Sequence, residues 1–363
     1  MSEKSNRINC DRTEGGRRKI GVNPSVACFS RDFSPQNTSP EPFTIESLGR
    51  HAVERGFADG MSEQSASILM RIGYQHASGY FKLLESDESQ PMSMKRLHRL
   101  ILFDRKLESL LMEYIGLFEL QFRAQYSYAL SAERGAFAHR NPRNFKNPDY
   151  FDSFLASYQK EFNRQLRNRN KEISRAYEEY GDAPTWLAVE IMSFGTLSML
   201  FKNTRSAKVR SSVAASFHAD SDHFESWTRT LSSIRNTCAH FGRLCGTRLV
   251  SKPKRIPGAK GDNGSPFYAL MLLVYMLSGE LFFEDDPSLA YSACLLADTG
   301  RLFSEFNEVL KSAGIPSDWS DLMGQREVSR MTVSSIGNSE GLKQSRITGI
   351  AMRNPTSGNV VRL

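Results

Sequence analysis

Apolar residues recur every three or four positions along most of this chain, which is the spacing typical of amphipathic helices. The longest such segment covers residues 103–131 and predicts a buried central helix. The alternation typical of strands is weak, and no internal repeat is visible. The pattern therefore predicts an all-α fold, a helical bundle. The other predicted helices cover residues 44–56, 62–70, 150–180, 186–201, 206–217, 224–244, 267–283 and 288–312.

The two ends of the chain lack this periodicity. Residues 1–40 mix Gly, Ser, Asn and Pro with scattered charges and are predicted to form a flexible leader. Residues 324–363 are rich in Ser, Gly and Asn with an excess of basic side chains, which predicts a flexible basic tail. We expect a single all-α domain over residues 41–323.

Composition narrows the class of protein only slightly. The five cysteines, at positions 10, 28, 238, 245 and 294, form no closely spaced pairs, which argues against a zinc ribbon and against a disulfide scaffold. No apolar run reaches the ~18 residues that a membrane span needs, so we expect a cytoplasmic protein without membrane contact. The net charge of +7 is compatible with a polyanionic partner.

The most specific local pattern is Arg235-Asn236-Thr237-Cys238-Ala239-His240, here called the Arg-His motif. A helical wheel divides residues 227–245 into two faces. The apolar face consists of Trp227, Leu231, Ile234, Cys238, Phe241 and Cys245. The opposite face carries Asn236, His240 and Arg243, with Arg229 near the same line and Arg235 on the flank.

These polar side chains suit phosphate chemistry without a metal or another cofactor. An imidazole such as His240 can take a proton from an RNA 2′-hydroxyl or deliver one to a leaving oxygen. A guanidinium such as Arg235 can stabilise charge on phosphate oxygens, and Asn236 can orient the substrate or the histidine. A single histidine serves only one of the two proton transfers, so a homodimer with two such helices across a two-fold axis is the simplest complete site.

A second basic segment lies within the predicted helix at residues 150–180. Arg164, Arg167 and Arg169 lie there in quick succession, and we expect them, like Arg229 and Arg243, to contact RNA phosphates. The alternative is an ordinary solvated helix face.

Four blocks in order along the chain carry a family resemblance. They are residues 71–81 with Ser78-Gly79-Tyr80, residues 103–107 with Glu119 and Arg123, residues 184–198, and residues 226–240 with the Arg-His motif. A short closing block covers residues 314–319. Over about residues 42–320 the chain resembles the Abi-like proteins of the AbiD/AbiF abortive-infection type, and the motif is similar to the Arg-x4-His motif of HEPN ribonucleases.

The resemblance implies a HEPN-like helical core and an RNA-cleaving toxin or antiphage effector. It also implies a dimer and an RNA or protein antitoxin as partner. By position, Arg235 and His240 would be the catalytic pair, Asn236 the neighbouring polar residue and Arg243 the arginine that commonly follows. The chain departs from the family pattern at Phe241, where a second histidine is frequent, and at Cys245-Gly246, where Trp-Asn is usual.

Two other interpretations of the motif stay open. The same basic face suits a non-catalytic RNA-binding or protein-interaction module, and the motif helix could instead be buried in a dimer interface. For the remaining residues we expect structural roles: a packing or turn role for Ser78-Gly79-Tyr80, a core position for Trp186, and a helix ion pair for Glu119 and Arg123. His218 and His223 are expected to be loop residues.

Overall fold

The computed structural model of this chain describes residues 43–278 and 290–324. Within these residues the secondary structure is α-helix and short 3-10 turns without any strand, so the prediction of an all-α helical bundle is confirmed. The predicted leader at 1–40 and nearly all of the predicted basic tail at 324–363 lie outside the described residues. The end of the helix predicted at 267–283 and the first two residues of the helix predicted at 288–312 also lie outside them.

Fourteen α-helices are found in the described residues. They are α1 Ile45–Glu54, α2 Glu63–Ile72, α3 Tyr74–Ser78, α4 Phe81–Glu85, α5 Met94–Arg134, α6 Pro148–Arg167, α7 Lys171–Tyr180, α8 Thr185–Ala188, α9 Phe194–Asn203, α10 Ala207–Ala215, α11 Ser221–Ala239, α12 Phe267–Met276, α13 Tyr291–Glu305 and α14 Leu310–Ala313. The 3-10 turns are Ala138–Arg140, Pro142–Asn144, Val189–Ile191 and Asn307–Val309.

Helix α5 is the central element, as the periodicity predicts, but it is longer than predicted. Its 41 residues begin after Ser93, whose side chain accepts a hydrogen bond from the Arg96 N–H, and end at Gly135, which has a positive φ of 87°. A helix of this length spans ~60 Å. Helices α8 to α13 all pack against it, so one helix organises most of the core.

An aromatic cluster joins α5 to α9 and α11. Phe122 of α5 lies 5.0 Å from Phe224 of α11 between ring centroids, and Phe224 lies 5.0 Å from Phe201 of α9. These three side chains are fully buried. Large aromatic side chains in edge-to-face contact contribute strongly to core stability, so this cluster fixes the position of α11 relative to the central helix.

The predicted helix at 150–180 is wrong as a single element. Asn168 ends α6, Arg169 adopts a left-handed φ of 55°, and the Asn170 side chain accepts a hydrogen bond from the Ile173 N–H to begin α7. Local capping by asparagine competes with helix continuation, and periodicity does not register it. The basic residues of this segment therefore lie on two helices and the turn between them.

The predicted helix at 186–201 also divides. A single turn, α8, leads into a 3-10 turn, and α9 begins after Ser193, whose Oγ accepts a hydrogen bond from the Thr196 N–H at 3.1 Å. The expectation that Trp186 is a core residue is wrong, because Thr185 and Ala188 occupy the buried side of α8 and Trp186 is 49% exposed. The predicted helix at 288–312 similarly becomes α13, a 3-10 turn and α14.

Candidate functional site

The Arg-His motif lies in the last turn of α11. This helix begins at Asp220, whose carboxylate accepts hydrogen bonds from the N–H groups of Asp222 and His223 at 2.9 and 2.8 Å. Five residues of the predicted apolar face are buried as expected: Trp227, Leu231, Ile234 and Cys238 on α11, and Cys245 beyond its end. The helix is therefore fixed along one side, and the polar groups of the motif are carried on the other.

Helix α11 ends sooner than the wheel assumes. His240 is the C-cap, and the N–H groups of Phe241 and Gly242 donate to the carbonyls of Cys238 and Thr237 at 3.1 and 2.8 Å. This is the hydrogen-bond pattern of a Schellman ending, in which the residue after the cap is left-handed. Phe241 occupies that position with a φ of 54° and is 73% exposed, so its predicted place on the buried face is wrong.

The three candidate catalytic residues occupy the solvent-facing side of this last turn. Asn236 and His240 are exposed, and Arg235 is half-buried. The Arg235 Nη1 lies 3.5 Å from the Asn236 Oδ1, a long hydrogen bond that leaves most guanidinium donors available. An imidazole, a guanidinium and an amide are therefore carried by the same last helical turn.

Arg243 does not share a helix face with Asn236 and His240, because α11 ends at the His240 C-cap. Its guanidinium carbon lies 5.5 Å from the centroid of the Tyr80 ring, a cation–π arrangement. Its Nη1 is 3.2 Å from the position that a Cβ on Gly79 would take, so only glycine leaves it unhindered there. Arg243 thus contacts the Ser78-Gly79-Tyr80 segment, and the expected packing role of that segment is present.

A buried carboxylate anchors the segment that follows the motif. Asp104 of α5 is fully buried and accepts hydrogen bonds from the Tyr80 hydroxyl at 2.6 Å, from the Leu244 N–H at 3.2 Å and from the Cys245 N–H at 3.0 Å. We call this set, Tyr80, Asp104, and the N–H groups of Leu244 and Cys245, the Asp104 latch. It joins the first two sequence blocks to the segment that follows the fourth, and it fixes where the chain goes after His240.

Charged groups surround the latch. Arg105 donates from Nη2 to the Tyr80 hydroxyl at 3.3 Å and pairs with Glu108 at 2.5 Å. Burial, with a smaller contribution from the Asp104 charge, raises the pKa of Glu108 to about 8, although the neighbouring Arg105 charge opposes the increase. Burial and the neighbouring Arg105 and Arg243 charges lower the pKa of His76, although Asp104 opposes them. The environment therefore favours a protonated Glu108 and a neutral His76 at neutral pH.

The two cysteines near the motif are buried thiols. Burial raises the pKa of Cys238 to about 12 and raises the pKa of Cys245 well above its ordinary value. A thiolate is the nucleophilic form of cysteine, so neither side chain is an activated nucleophile at neutral pH. Of the side chains in the motif, Arg235, Asn236 and His240 therefore remain the candidates for chemistry.

The remaining histidines near α11 have local partners. The Nδ1 of His223 lies 2.7 Å from the Asp220 carboxylate within the first turn of α11, so the loop position expected for His223 is wrong. His218 lies in the preceding turn, with a φ of 57° and its Nε2 2.5 Å from the Ser278 carbonyl. Across residues 43–278 and 290–324, no group of three or more His, Cys, Asp or Glu side chains is arranged to hold a metal ion.

Arg229 is exposed two turns before the motif on α11. It lines a cavity of about 330 Å³ together with Ser226, Ser251, Lys252 and Lys254, and two acidic residues, Asp222 and Glu225, complete the wall. Arg229 and His240 are eleven residues apart, which corresponds to ~16 Å along the helix. Arg229 can therefore contact a phosphate at some distance from the motif on an extended polyanion.

Arg164 and Arg167 lie elsewhere, at the end of α6. They line a cavity of about 420 Å³ with Ser193 and Thr196 at the beginning of α9. The Arg164 guanidinium already makes two hydrogen bonds to Glu161, at 2.8 and 2.6 Å, while Arg169 is exposed at the turn after α6.

The first turn of α9 lies between this cavity and the motif. A Cβ on Gly195 would stand 3.3 Å from the Ser232 Oγ of α11, and Ser232 precedes Arg235 by one turn.

The expected Glu119–Arg123 ion pair is present within α5, and Arg123 also donates to the Val189 and Met192 carbonyls. The ion pair therefore holds the segment leading into α9 against the central helix.

Sequence reasoning missed the role of Asp104. The signal was present, because Asp104 lies four residues after Leu100 and three before Leu107, on the buried face of α5. A charged residue at an apolar-face position predicts a buried and fully hydrogen-bonded group. Its partners could not be named, since two of them are main-chain N–H groups 140 and 141 positions away.

Comparison with known proteins gives a family match. The family model described as Abi-like protein matches residues 67–245, just under half of the chain, and includes both the Asp104 latch and the Arg-His motif. The match supports the Abi-like family that the sequence blocks resemble. No curated protein and no solved structure matches the chain. No helix in the described residues has both the length and the apolar character required to cross a bilayer.

Proposed function

We propose that this chain, an Abi-like protein by its match over residues 67–245, is a metal-independent endoribonuclease that acts as an abortive-infection or toxin-type antiphage effector. The observation that carries the proposal is the exposed last turn of α11, where Arg235, Asn236 and His240 lie together. The Asp104 latch supports it, because a fixed chain path after His240 keeps the site in one geometry.

In the proposed reaction an RNA 2′-hydroxyl attacks the adjacent phosphorus. The P–O5′ bond breaks, and the products are a 2′,3′-cyclic phosphate and a 5′-hydroxyl end. His240 accepts the 2′-hydroxyl proton or donates a proton to the 5′-oxygen. Arg235 stabilises the negative charge that develops on the non-bridging oxygens, and Asn236 orients the substrate or Arg235.

Each proton transfer needs its own group, and the motif supplies one imidazole per chain. We therefore propose a homodimer in which two α11 ends face each other across a two-fold axis and share one substrate. The exposure of Asn236, His240 and Phe241 supports this arrangement, since these side chains are open to a second copy and to RNA. An RNA or protein antitoxin would act by covering the same surface.

The second candidate is a non-catalytic module that binds RNA or protein through the same face. The observation in its favour is the cavity at Arg229, Lys252 and Lys254, which offers three cations for an anionic partner beside the carboxylates of Asp222 and Glu225. In this alternative Arg235 and His240 extend a binding surface and break no bond.

The deciding experiment incubates purified protein with single-stranded RNA in excess EDTA. We expect cleavage by the wild type with 2′,3′-cyclic phosphate ends, and loss of cleavage in Arg235→Ala and His240→Ala with unchanged far-UV circular dichroism and unchanged oligomeric mass. His51→Ala is the matched control, because His51 is also exposed but lies on α1, where it pairs with Glu54. Equal cleavage by His240→Ala contradicts the proposal, and tight RNA binding without cleavage supports the second candidate.

A further inference from the structure

Phe241 is the most exposed aromatic side chain in the described part of the chain, at 73% exposure. It follows His240 directly, and Arg235 and Asn236 lie one turn back along α11. Neighbouring Cα atoms are ~3.8 Å apart, so Phe241 and His240 leave the main chain at adjacent positions. The ring stacks on no other aromatic ring among the described residues.

The backbone at Phe241 is unfavourable for a phenylalanine. A φ of 54° is left-handed, and the position after a helix C-cap with this conformation is ordinarily glycine or asparagine. A bulky non-glycine residue with positive φ is rare and marks strain that the surrounding structure maintains. Here a strained backbone presents a large apolar ring to solvent, and burial within the chain does not offset that strain.

We propose that Phe241 is a stacking platform for an unpaired nucleobase beside the phosphate held by Arg235 and His240, which makes the substrate single-stranded RNA. This inference deepens the proposed function and rests on it. Proteins that bind single strands combine aromatic side chains, on which bases stack, with cations that follow the backbone. Phe241 supplies the ring, and Arg235, Arg229 and the half-buried Arg243 supply the cations.

Stacking on an open ring requires a free base face. In an RNA duplex both faces of each internal base are covered by its neighbours, and proteins recognise such duplexes by shape and backbone. A site built on Phe241 therefore discriminates against duplex RNA. Because every base has a π face, the same site tolerates all four bases and expresses a preference for unpaired positions.

The test uses wild-type protein with 2′-O-methyl RNA that contains 2-aminopurine, which binds but cannot undergo attack by a 2′-hydroxyl. We expect 2-aminopurine fluorescence to be quenched on binding to the wild type. Phe241→Gly and Phe241→Asn both accept a left-handed backbone without a ring, and we expect them to lose the quenching and roughly 10-fold to 100-fold in affinity. Phe241→Tyr and Phe241→Trp keep a ring and are expected to bind within about twofold of wild type.

Thermal unfolding checks that the loss is not a folding defect. Phe241→Gly relieves backbone strain, so its melting temperature should equal or exceed that of the wild type while RNA affinity falls. Unchanged affinity and quenching in Phe241→Gly overturn the proposal. Loss of the dimer in sedimentation with RNA binding retained also overturns it and assigns the ring to a contact between copies.

Failure of this inference is distinguishable from failure of the proposed function. Quenching that depends on Phe241 in a protein that cleaves no RNA upholds the stacking site and rejects the ribonuclease. Cleavage that depends on His240, with affinity independent of Phe241, rejects the stacking site and upholds the ribonuclease. Absence of any RNA binding by the wild type rejects both.

Discussion

The Asp104 carboxylate accepts a 3.0 Å hydrogen bond from the main-chain N–H of Cys245, across 141 positions of sequence. Through this hydrogen bond the central helix α5 holds the chain just after the Arg-His motif. The carboxylate is fully buried and is satisfied by the Tyr80 hydroxyl and two main-chain N–H groups. The proposed catalytic turn is thus positioned by a group that contacts no substrate.

We expect Asp104→Ala to lower the free energy of unfolding by about 3 kcal/mol, because two buried main-chain N–H groups lose their acceptor. Tyr80→Phe removes a single donor from the same carboxylate and should cost about 1.5 kcal/mol. Urea denaturation followed by circular dichroism measures both values. Equal effects of the two variants would show that the main-chain hydrogen bonds contribute little.

We also expect substitutions at Asp104 to lower the rate of RNA cleavage. At a temperature where Asp104→Ala remains folded, RNA cleavage should fall at least ~10-fold, because a loosened segment no longer holds His240 in one geometry. Asp104→Asn keeps an acceptor oxygen and should fall between wild type and Asp104→Ala in cleavage rate. A folded Asp104→Ala protein with full cleavage activity would remove the positioning role.

Gly246 permits the close approach of the post-motif segment to α4. It has a φ of 66°, and a Cβ there would lie 2.1 Å from the Leu83 Cδ2. We expect Gly246→Ala to destabilise by about 3 kcal/mol, from left-handed strain together with overpacking. Gly314→Ala is the control, since Gly314 has a φ of 79° with no atom within 4 Å of the added Cβ, and should cost about 1 kcal/mol.

A second substitution separates the effect of the steric contact between the added Cβ at Gly246 and the Leu83 side chain from the effect of backbone strain. Leu83→Ala in the Gly246→Ala background should recover part of the stability, whereas it should not do so in the Gly314→Ala background. Chemical denaturation of the single and double variants gives the coupling energy directly. Additive effects at Gly246 and Leu83 would exclude the clash as the cause.

Glu108 should make stability depend on pH. The pKa of Glu108 is about 8 in the folded protein, against an ordinary value of 4.5. Between these two pH values the folded protein keeps a proton on Glu108 that the unfolded chain has released. The free energy of unfolding therefore contains a contribution that is complete below pH ~4.5 and is lost as pH rises through about 8, by at most ~1.4 kcal/mol per pH unit.

Glu108→Gln resembles the protonated acid and should lack this contribution. Urea denaturation from about pH 5 to about pH 8 should give a shallower decline in the free energy of unfolding for Glu108→Gln than for wild type. Glu113→Gln, at an exposed position on the same helix, is the control and should follow the wild type. Parallel profiles for Glu108→Gln and wild type would contradict the prediction.

The basic residues outside the motif should contribute unequally to RNA affinity. Arg164 is held by two hydrogen bonds to Glu161, so a phosphate must compete with that carboxylate. We expect Arg167→Ala and Arg229→Ala to weaken binding more than Arg164→Ala does. The salt-dependence slope should fall by ~0.7 for each phosphate that the variant no longer neutralises.

Glu161→Gln frees Arg164 and should strengthen RNA binding. Filter binding over a salt series measures this variant beside the three arginine variants. Slopes identical to that of the wild type would exclude these residues from the RNA path.

Much of the fold is predictable from local pattern. The all-α class, the long buried helix and the apolar side of α11 follow from spacings of three and four residues, because a helix must bury one continuous face. Trp227, Leu231, Ile234 and Cys238 are buried as that rule requires. The motif residues Arg235, Asn236 and His240 could also be selected from sequence, since their chemistry and spacing are local properties.

Periodicity failed where the chain stops being a helix. Phe241 continues the apolar spacing of α11 but lies in solvent, because the chain reverses at His240. Trp186 shows the same failure, since a single turn with Thr185 and Ala188 buried turns the larger side chain outward. A wheel assigns faces correctly only while the helix persists.

The sequence by itself determined which groups could perform chemistry and which helix would carry them. Only the tertiary structure decided that α11 ends at the motif, that Arg243 lies over Tyr80 and that Asp104 holds the following segment. The physical reason is that main-chain N–H groups carry no side-chain identity. The sequence pattern therefore shows that Asp104 occupies a buried position of a helix. It does not show which main-chain N–H groups, more than a hundred positions away, donate to the carboxylate.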